Sequence, residues 1–320
     1  MEYDVIIVGG GAAGLTAAVY AARRKMKTLI ITINIGGQAS EATKIENYPG
    51  FLGVNGAKLM TKFQKQAMKS GAEIVFDEVK EVKEIGDRYT VKTSSKEYTT
   101  KAVILAFGKT PRSLNIPGEE IFKGMGVSYC ATCDLPLFKD KTVAIVGGGN
   151  AALDAALYGS KIAKKVYLIH RRDEFRGFED LVGQVKKKEN VELLLSYVIT
   201  EIKGKDRVNS IVVQDLKTSQ TKELQVDGVF VEIGSEVKTD FIKGLVKVDE
   251  KNQIIITNNC ETFYPDRNEI RPGIFAAGDV TNTPFKQVVV SGGEGCKAAL
   301  QAYNYIHGIK QVLFTADWRK

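Results

Sequence analysis

The most regular pattern along the chain is a short apolar run, a glycine-rich turn, an alanine-rich segment and a second apolar run. It first appears near the N-terminus, where Tyr3 to Val8 and Thr28 to Ile31 are the apolar runs. Short apolar runs bounded by glycine are typical of buried parallel strands, and the segment between them has the length and composition of a helix. The pattern therefore predicts a strand, a tight turn, a helix and a parallel strand within about 30 residues.

The same pattern occurs a second time in the middle of the chain. Thr142 to Val146 and Val166 to Ile169 are its apolar runs, and each copy is followed later by an apolar strand that runs into a glycine, Gly108 or Gly234. A length of 320 residues suits two domains. The repeat predicts an α/β protein with two Rossmann-like dinucleotide-binding domains, and two copies imply two nucleotide cofactors.

Both glycine-rich turns match the fingerprint for dinucleotide binding. The first glycine allows the sharp bend, the second lets backbone amides approach a pyrophosphate, and the third position lets helix pack on strand. The helix that follows offers unpaired N–H groups to the phosphates. The predicted binding residues are Gly9, Gly11, Ala13 and Gly14 in the first turn and Gly147, Gly149, Asn150 and Ala152 in the second.

The residues after the second strand differ between the copies. In the second copy this strand ends in His170, Arg171 and Arg172, with Arg176 following. Two or three guanidiniums suit a ribose 2′-phosphate, because their forked donors pair with its oxygens, so the second copy is predicted to bind NADPH rather than NADH. The first copy has neither acid nor arginine at this place, and its ligand cannot be assigned from this position.

Cys130 and Cys133 form a Cys-x-x-Cys pair between the two fingerprints. Such a pair is either redox-active or half of a zinc site. A structural zinc site needs four Cys or His ligands. The two remaining cysteines are isolated in the sequence, and the chain has only two histidines. This favours the redox pair and predicts no metal. Cys260 and Cys296 are predicted to be packing thiols, with Cys296 at the start of a helix.

Composition restricts the function classes further. The net charge is +7, and the sequence has no basic or acidic tail. Nucleic acid is therefore not an expected partner. The N-terminus lacks the pattern of a signal peptide, and no segment reaches the ~20 apolar residues of a membrane span. We expect a soluble cytoplasmic protein that does not bind membranes, in which a cysteine pair is catalytic rather than a structural link.

The motifs follow one another in an order that resembles the low-molecular-weight thioredoxin reductases, in the FAD/NADPH pyridine nucleotide-disulfide oxidoreductase family. The resemblance rests on both fingerprints, on Cys-Ala-Thr-Cys-Asp at 130–134, on His-Arg-Arg-x-x-x-Arg at 170–176 and on Gly278-Asp279, and it extends over essentially the whole chain. One departure is the segment 234–239, which differs from the usual Gly-His-x-Pro-x-Thr of the family.

The resemblance implies that FAD is the cofactor of the first copy. It implies an FAD-binding domain made of residues 1–113 and 239–320, with an NADPH-binding domain, residues 114–238, inserted between them and carrying the cysteines. The chain crosses between them near Pro111–Pro117 and Ser235–Asp240, and these segments are either a natural hinge or ordinary loops. By the same resemblance, further FAD-binding residues are Gly36, Gly37, Gln38, Asn47, Val82, Gly278, Asp279, Lys286, Gln287 and Val288.

The resemblance also implies a reaction. A hydride passes from NADPH to FAD, the electrons pass to the Cys130/Cys133 disulfide, and these go on to the disulfide of a thioredoxin-like protein. Cys133 faces the flavin, Cys130 attacks the partner, and Asp134 exchanges protons with the thiols. The domains rotate between the two steps, and the expected assembly is a homodimer.

Four other functions remain open from the sequence. A flavin NADPH oxidoreductase could serve ferredoxin or flavodoxin, but its relatives on this fold lack the cysteine pair. A reductase coupled to a peroxidase keeps the pair yet carries an additional N-terminal redox domain, and a glutaredoxin-like partner is a further option. A nucleotide-sensing module without enzymatic activity would leave Cys130, Cys133 and Asp134 unexplained.

Overall fold

The computed structural model describes residues 2–42 and 45–309, except for the side chains of Glu41, Thr132 and Cys133. The chain divides into two compact units. The discontinuous unit consists of Met1–Lys109 and Val237–Lys320, and the inserted unit is Thr110–Glu236. One unit is therefore inserted into the sequence of the other.

The first part of the discontinuous unit contains six strands and three helices within its described residues. They are β1 (Glu2–Gly10), α1 (Ala12–Arg23), β2 (Thr28–Ile35), α2 (Gln38–Glu41), α3 (Gly56–Ser70), β3 (Glu73–Phe76), β4 (Val79–Ile85), β5 (Arg88–Thr93) and β6 (Glu97–Leu105).

The inserted unit and the returning part of the discontinuous unit follow in chain order. The inserted unit contains β7 (Thr110–Pro111), β8 (Val127–Ser128), α4 (Ala131–Asp134), a 3-10 turn (Leu135–Phe138), β9 (Thr142–Val146), α5 (Asn150–Gly159), β10 (Lys165–His170), α6 (Glu179–Lys186), β11 (Val191–Leu195), β12 (Tyr197–Gly204), β13 (Val208–Asp215), β14 (Thr221–Gln225), β15 (Gly228–Val231) and β16 (Ser235–Glu236). The return contains a 3-10 turn (Asp240–Ile242), β17 (Glu261–Phe263), β18 (Ile270–Ala276) and α7 (Val288–Ile306).

The discontinuous unit is built on a sheet in the order β17-β18-β6-β1-β2-β3. Strands β18, β6, β1, β2 and β3 are parallel, and β17 is antiparallel at the edge. The first half of β6 also pairs with β5, and β5 pairs with β4. These strands form an antiparallel layer that branches from the main sheet at β6. Because β1 lies between β2 and β6, the turn after β1 lies at the point where the strand order reverses, where ligands bind in such sheets.

Side chains of β1 alternate between two apolar layers. Val5 and Ile7 pack with the alanine-rich faces of α1 and α7, whereas Ile6 and Val8 pack with the layer that contains β4 and β5. A sheet covered on both faces needs continuous apolar strands, which explains the unbroken apolar run in the sequence. Helices α1 and α7 approach so closely that a Cβ on Gly295 would lie 2.1 Å from the carbonyl oxygen of Ala13.

The inserted unit repeats this layout. Its parallel sheet has the order β11-β10-β9-β15-β8, and β12, β13 and β14 form the antiparallel layer. At the two ends of the unit, β7 and β16 form an antiparallel pair, with Thr110 opposite Glu236. The repeated βαβ modules confirm the predicted α/β fold class with two Rossmann-like domains.

Helix α7 begins earlier than the sequence pattern predicts. It starts at Val288, so Cys296 lies inside a helix and not at its start, and that prediction was wrong. The reason is that the helix continues through Gly292, Gly293 and Gly295, and Gly292 and Gly295 lie against α1. Across residues 2–42 and 45–309, none of the helices combines the length and the apolar character that crossing a membrane requires.

Candidate functional site

The backbone of both fingerprint turns requires glycine at the first position. Gly9 has a φ of +112°, and a Cβ there would lie 2.3 Å from the carbonyl oxygen of Ala106. Gly147 has a φ of +155°, and its Cβ would lie 2.3 Å from the carbonyl oxygen of Glu232. A Cβ on Gly14 would likewise lie 2.0 Å from the carbonyl oxygen of Gly9, so turn and helix are in direct contact.

The second glycine of each turn is surrounded by open space. Gly11 and Gly149 have ordinary extended conformations, and a Cβ on either would meet no protein atom within 4 Å. They are the N-caps of α1 and α5, and neither helix receives a side-chain hydrogen bond at its cap. Open space beside uncapped N–H groups fits a pyrophosphate, because both the backbone donors and the helix dipole favour an anion there.

The segment after β10 folds back over the second turn. The N–H of Arg176 donates to the carbonyl oxygen of Gly148 at 2.7 Å, and that of Phe178 donates to Asn150 Oδ1 at 2.8 Å. His170 lies beneath the turn, since a Cβ on Gly148 would lie 2.2 Å from the imidazole ring, which stacks on Phe175 with 5.6 Å between ring centroids. Burial lowers the pKa of His170, so its imidazole is neutral and supports the turn without adding charge.

Three arginines lie on the segment that follows β10 and folds back over this turn. Arg171, Arg172 and Arg176 are all exposed, and none forms an ion pair with any residue that the structure describes. The segment that carries them is irregular and becomes helical only at Glu179, because the backbone is bonded to the glycine turn instead. Exposed guanidiniums without carboxylate partners can bind a phosphate dianion.

The first turn is joined by residues from the far end of the chain. Gly278 has a φ of +82°, and its Cβ would lie 2.9 Å from the Cβ of Ala13 in the first turn of α1. The next residue, Asp279, accepts a hydrogen bond from Ser291 Oγ at 3.4 Å on Oδ1. The structure thus brings the first fingerprint and the Gly278-Asp279 motif together, as a site made from two parts of the sequence requires.

Glu294 fixes this late motif, although it was not among the residues predicted from the sequence. It is buried, and its carboxylate accepts hydrogen bonds from the N–H of Gly278 at 2.6 Å and from the hydroxyls of Thr281 and Thr283. The available signal was a carboxylate placed on the apolar, alanine-rich helix α7, where a charge needs partners. Its function here is to hold the turn that carries Asp279.

Two of the predicted flavin residues contact each other. Asn47 Nδ2 donates to Gln287 Oε1 at 2.9 Å. Lys286 Nζ donates to the carbonyl oxygen of Thr281 at 2.6 Å, and burial, with Lys109 nearby, lowers the pKa of this amine. Val288 begins α7 directly after Gln287.

The remaining predicted FAD residues lie in two places. Gly36 and Gly37 both have positive φ, +94° and +51°, and they lead into α2, where Gln38 Nε2 donates to the carbonyl oxygen of Lys109 at 3.4 Å. Val82 lies in β4 opposite Val91, and its side chain is in the core, so only its backbone could serve a ligand.

The cysteine motif lies on a short loop and helix of the inserted unit. Cys130 is disulfide-bonded, whereas Cys260 and Cys296 are free. Ser128 Oγ accepts the N–H of Cys130 at 3.0 Å, and the carbonyl oxygen of Cys130 accepts the N–H of Asp134 at 3.2 Å. The predicted partner, the Cys133 side chain, lies outside the described residues.

A second carboxylate contacts this redox loop. Glu232 Oε1 accepts the N–H of Ala131 at 3.2 Å. Its own backbone N–H donates to Val146 at 2.8 Å, and its carbonyl oxygen lies against Gly147 of the second fingerprint. Glu232 therefore links the nucleotide turn and the redox loop, a contact between residues 101 positions apart that no sequence motif indicated.

Comparison with known families agrees with this combination of two dinucleotide turns and a disulfide. Residues 3–295 match the family model for pyridine nucleotide-disulphide oxidoreductases. The chain belongs to this family. It is accordingly an NADPH-dependent flavoprotein disulfide reductase, with FAD and NADPH as its cofactors, as predicted.

Curated relatives narrow the likeness to thioredoxin reductases. The chain is 37% identical over 306 residues to the thioredoxin reductase of Mycolicibacterium smegmatis, covering 95% of this chain and 96% of that one. It is 34% identical over 307 residues to a bifunctional thioredoxin reductase/thioredoxin of Mycobacterium leprae, covering 95% of this chain and 66% of the relative. The resemblance found in the sequence is confirmed.

Solved structures agree. The thioredoxin reductase of Lactococcus lactis in its FR conformation is similar with a TM-score of 0.81 at 36% identity, over 96% of this chain and 99% of that one. A ferredoxin-flavin thioredoxin reductase of Clostridium acetobutylicum is similar with a TM-score of 0.52 at 32% identity, over 96% and 99% of the two chains.

Proposed function

We propose that the protein reduces the disulfide of a thioredoxin, with electrons that NADPH and FAD deliver to a disulfide between Cys130 and Cys133. The observation that carries the proposal is the disulfide-bonded Cys130 on a loop that Glu232 ties to the second glycine turn. A redox-active sulfur beside a nucleotide turn, in a chain with a second such turn, is the arrangement that this reaction needs.

The residues present fit both cofactors. In the discontinuous unit, the open turn at Gly11, the adjoining Gly278-Asp279 motif and the Asn47–Gln287 pair would hold FAD. In the inserted unit, the open turn at Gly149 and the exposed guanidiniums of Arg171, Arg172 and Arg176 would hold NADPH. We assign the two cofactors to the two units on this basis, and Val82 to the adenine end of FAD through its backbone.

The cysteines exchange the electrons with the partner in balanced steps. When bound, NADPH and FAD together supply two electrons by hydride transfer. With two protons, these electrons break the Cys130–Cys133 disulfide into two thiols. The Cys130 thiolate then attacks the disulfide of thioredoxin, forms a mixed disulfide, and releases a thiolate that takes up a proton. Attack by the Cys133 thiolate on Cys130 Sγ releases reduced thioredoxin and re-forms the internal disulfide.

Protons must be exchanged with these sulfurs, because only a thiolate attacks. Asp134 ends α4, and its backbone is bonded to that of Cys130. We assign Asp134 as the carboxylate that takes a proton from the attacking thiol and returns one to the leaving thiolate, the ordinary work of a general acid and base.

We assign thioredoxin as the partner because a relative at 34% identity is named as a fusion of the reductase with thioredoxin. We also propose that the enzyme acts in the cytoplasm and that it is a homodimer. Light scattering of the FAD-loaded chain tests the assembly, since a mass of about twice 35.1 kDa is expected and the mass of one chain would contradict it.

The test of the function is NADPH oxidation in the presence of an oxidised thioredoxin. Cys130→Ser and Cys133→Ser should each abolish thioredoxin reduction, because exchange of two electrons needs both sulfurs. NADPH should still bleach the yellow colour of both variants. Cys296→Ser is the matched control, since it removes a free, half-buried thiol and should keep full turnover.

The alternative donor is ferredoxin, because one structural neighbour is called a ferredoxin-flavin thioredoxin reductase. Supplying NADPH, NADH or reduced ferredoxin in turn, with the rate at which thioredoxin thiols form as the readout, separates these donors. Faster thioredoxin reduction with ferredoxin than with NADPH would replace the proposed donor, and normal turnover of either cysteine variant would refute the relay.

A further inference from the structure

We propose that Glu232 is a positioning residue of the redox loop, whose carboxylate holds the N–H of Ala131 and thereby governs when the reduced Cys130 loses its proton. The proposal rests on the proposed function, because it deepens the role assigned there to Cys130. It adds a second carboxylate to the loop besides Asp134. The two differ in what they do, because Glu232 contacts the backbone and transfers no proton.

Glu232 contacts the backbone of the residue that follows Cys130. The N–H of Cys130 itself is bonded to Ser128 Oγ at 3.0 Å, and the next N–H, that of Ala131, is bonded to Glu232 Oε1 at 3.2 Å. Backbone N–H groups stabilise a thiolate when they are free to donate to it. Here the N–H groups of Cys130 and Ala131 both donate to side chains instead, and one of these side chains is a carboxylate.

The position of the carboxylate is set by the sheet and not by the loop. Glu232 follows β15 directly, and its N–H donates to Val146, the last residue of β9, at 2.8 Å. Its carbonyl oxygen is the atom that a Cβ on Gly147 would approach to 2.3 Å. Because strands of a parallel sheet are rigid supports, the carboxylate stays beside Ala131 while the sulfur chemistry proceeds.

The sign of the electrostatic effect follows from this geometry. An ionised Glu232 places negative charge next to the residue that must itself become negative, and it occupies an N–H that would otherwise stabilise that charge. Both effects raise the thiol pKa of Cys130 relative to the same loop without the charge. Among the residues that the structure describes, further titratable groups of this loop and of α5, which packs against α4, are Asp134, Asp154, Tyr158 and Tyr129, whose hydroxyl donates to Glu119.

The experiment measures the ionisation of Cys130 directly. In a Cys133→Ser background, the rate of alkylation by iodoacetamide is followed against pH, and the Cys130 peptide is quantified by mass spectrometry, so that Cys260 and Cys296 do not interfere. Glu232→Gln keeps an oxygen that can accept the Ala131 N–H but removes the charge. We expect the midpoint for Cys130 to fall by about one pKa unit in this variant, because a nearby like charge is removed.

The matched control is Glu223→Gln in the same unit. Glu223 also accepts hydrogen bonds, from Ser210 Oγ at 2.6 Å and Lys203 Nζ at 3.1 Å, but it lies on β14. This control should leave the Cys130 midpoint unchanged. An unchanged or higher midpoint in Glu232→Gln would overturn the proposal. If that variant does not fold, Glu232→Ala is tested instead. A midpoint for Cys130 that is not lowered in Glu232→Ala would also overturn the proposal.

The result of the alkylation experiment can be distinguished from the result of the test of the proposed function. Alkylation of Cys130 requires neither NADPH nor thioredoxin, so a protein that fails to reduce thioredoxin would refute the function while the midpoint still reports on Glu232. Conversely, normal turnover with no change of midpoint would keep the function and remove the role of Glu232.

Discussion

Asn47 Nδ2 lies 2.9 Å from Gln287 Oε1, although 240 residues separate them in the chain. Asn47 belongs to the first part of the discontinuous unit, and Gln287 immediately precedes α7 in the returning part. Both were predicted to bind FAD by the same family resemblance, and their contact joins the two parts of one candidate site. The hydrogen bond also orients both amides, because it uses the Nδ2 donor of Asn47 and the Oε1 acceptor of Gln287. The amide oxygen of Asn47 and the amide nitrogen of Gln287 are then left for a ligand.

Breaking this pair should weaken FAD binding without unfolding the protein. Asn47→Ala and Gln287→Ala each remove one neutral hydrogen bond of about 0.5–1.5 kcal/mol, which corresponds to roughly a twofold to tenfold loss of FAD affinity. The double variant should lose less than the sum of the two, because the same bond is counted twice. FAD fluorescence titration measures all three constants, and additive losses would mean that the two residues act on FAD separately.

Arg171 and Arg172 should discriminate NADPH from NADH. Replacing either by Gln removes a charge-assisted bond to phosphate that is worth about 1.5–3 kcal/mol, or roughly tenfold or more in affinity for NADPH, while NADH binding should change little. Lys187→Gln removes the same charge from the exposed end of α6 and serves as the control. Steady-state KM values for both nucleotides test this, and equal losses for the two would contradict a 2′-phosphate site.

Asp134→Asn should slow thioredoxin reduction by roughly 10²–10⁴-fold, the usual contribution of a general acid or base. Flavin reduction by NADPH should stay normal, because it precedes the thiol steps. The control is Asp140→Asn, an exposed residue with a φ of +59°, a conformation that Asn also adopts readily. Stopped-flow absorbance separates the two phases, and equal slowing of both would assign Asp134 to cofactor binding instead.

Glu119 should stabilise the inserted unit. It is only 3% exposed, and its carboxylate accepts the N–H groups of Leu114 at 2.8 Å and Asn115 at 2.7 Å and the Tyr129 hydroxyl at 2.8 Å. Glu119→Gln places an amide donor against one of these donors, which leaves buried groups unsatisfied and lowers the free energy of unfolding by about 1–3 kcal/mol.

Glu120→Gln is the matched control for Glu119, because the neighbouring carboxylate is exposed and the same charge is removed. Urea unfolding of the FAD-loaded chain measures both variants, and we expect no loss from the control. A similar loss from both substitutions would assign the effect to net charge rather than to the buried hydrogen bonds.

Cys260 should contribute stability that is lost at alkaline pH. Burial raises the pKa of its thiol to about 12, and Sγ donates to the carbonyl oxygen of Glu294 at 3.5 Å. Because the unfolded thiol ionises first, the folded state gains less from Cys260 as the pH rises from the unfolded pKa towards about 12. The difference in unfolding free energy between the wild type and Cys260→Ala should therefore be larger at about pH 8 than at about pH 10.5. A difference independent of pH would contradict this.

The βαβ repeat could be predicted because its signals are local. The apolar runs of β1 and β9, the glycine turns behind them and the alanine-rich helices each lie within about 30 residues, and buried parallel strands leave an unbroken apolar pattern. The start of α7 was misplaced because Gly292, Gly293 and Gly295 look like a turn in the sequence. In the structure the helix continues through them, and Gly292 and Gly295 lie against Thr16 and Ala13 of α1, a contact that the local sequence does not reveal.

The carboxylates around the candidate site could not be predicted for the same physical reason. Glu294 and Glu232 are each positioned by a backbone N–H whose hydrogen bond they accept, and those N–H groups belong to other parts of the chain. Nothing in the identity of a glutamate tells which distant amide will face it. The motif residues were accessible because a cofactor imposes a spacing on the sequence, whereas these supporting contacts impose none.

The antiparallel pair of β7 and β16 has a consequence for how such a chain can be constructed. Residues 110 and 236 are opposite each other, so the inserted unit begins and ends at one point on its own surface. A segment whose two ends meet can be exchanged as a cassette, because its host needs only a short bridge between Lys109 and Val237 to remain continuous. The same proximity allows a circular permutant of the inserted unit, with Thr110 joined to Glu236 and new termini opened in an exposed loop. The inserted unit is in this sense a module that can be separated from the rest of the covalent chain.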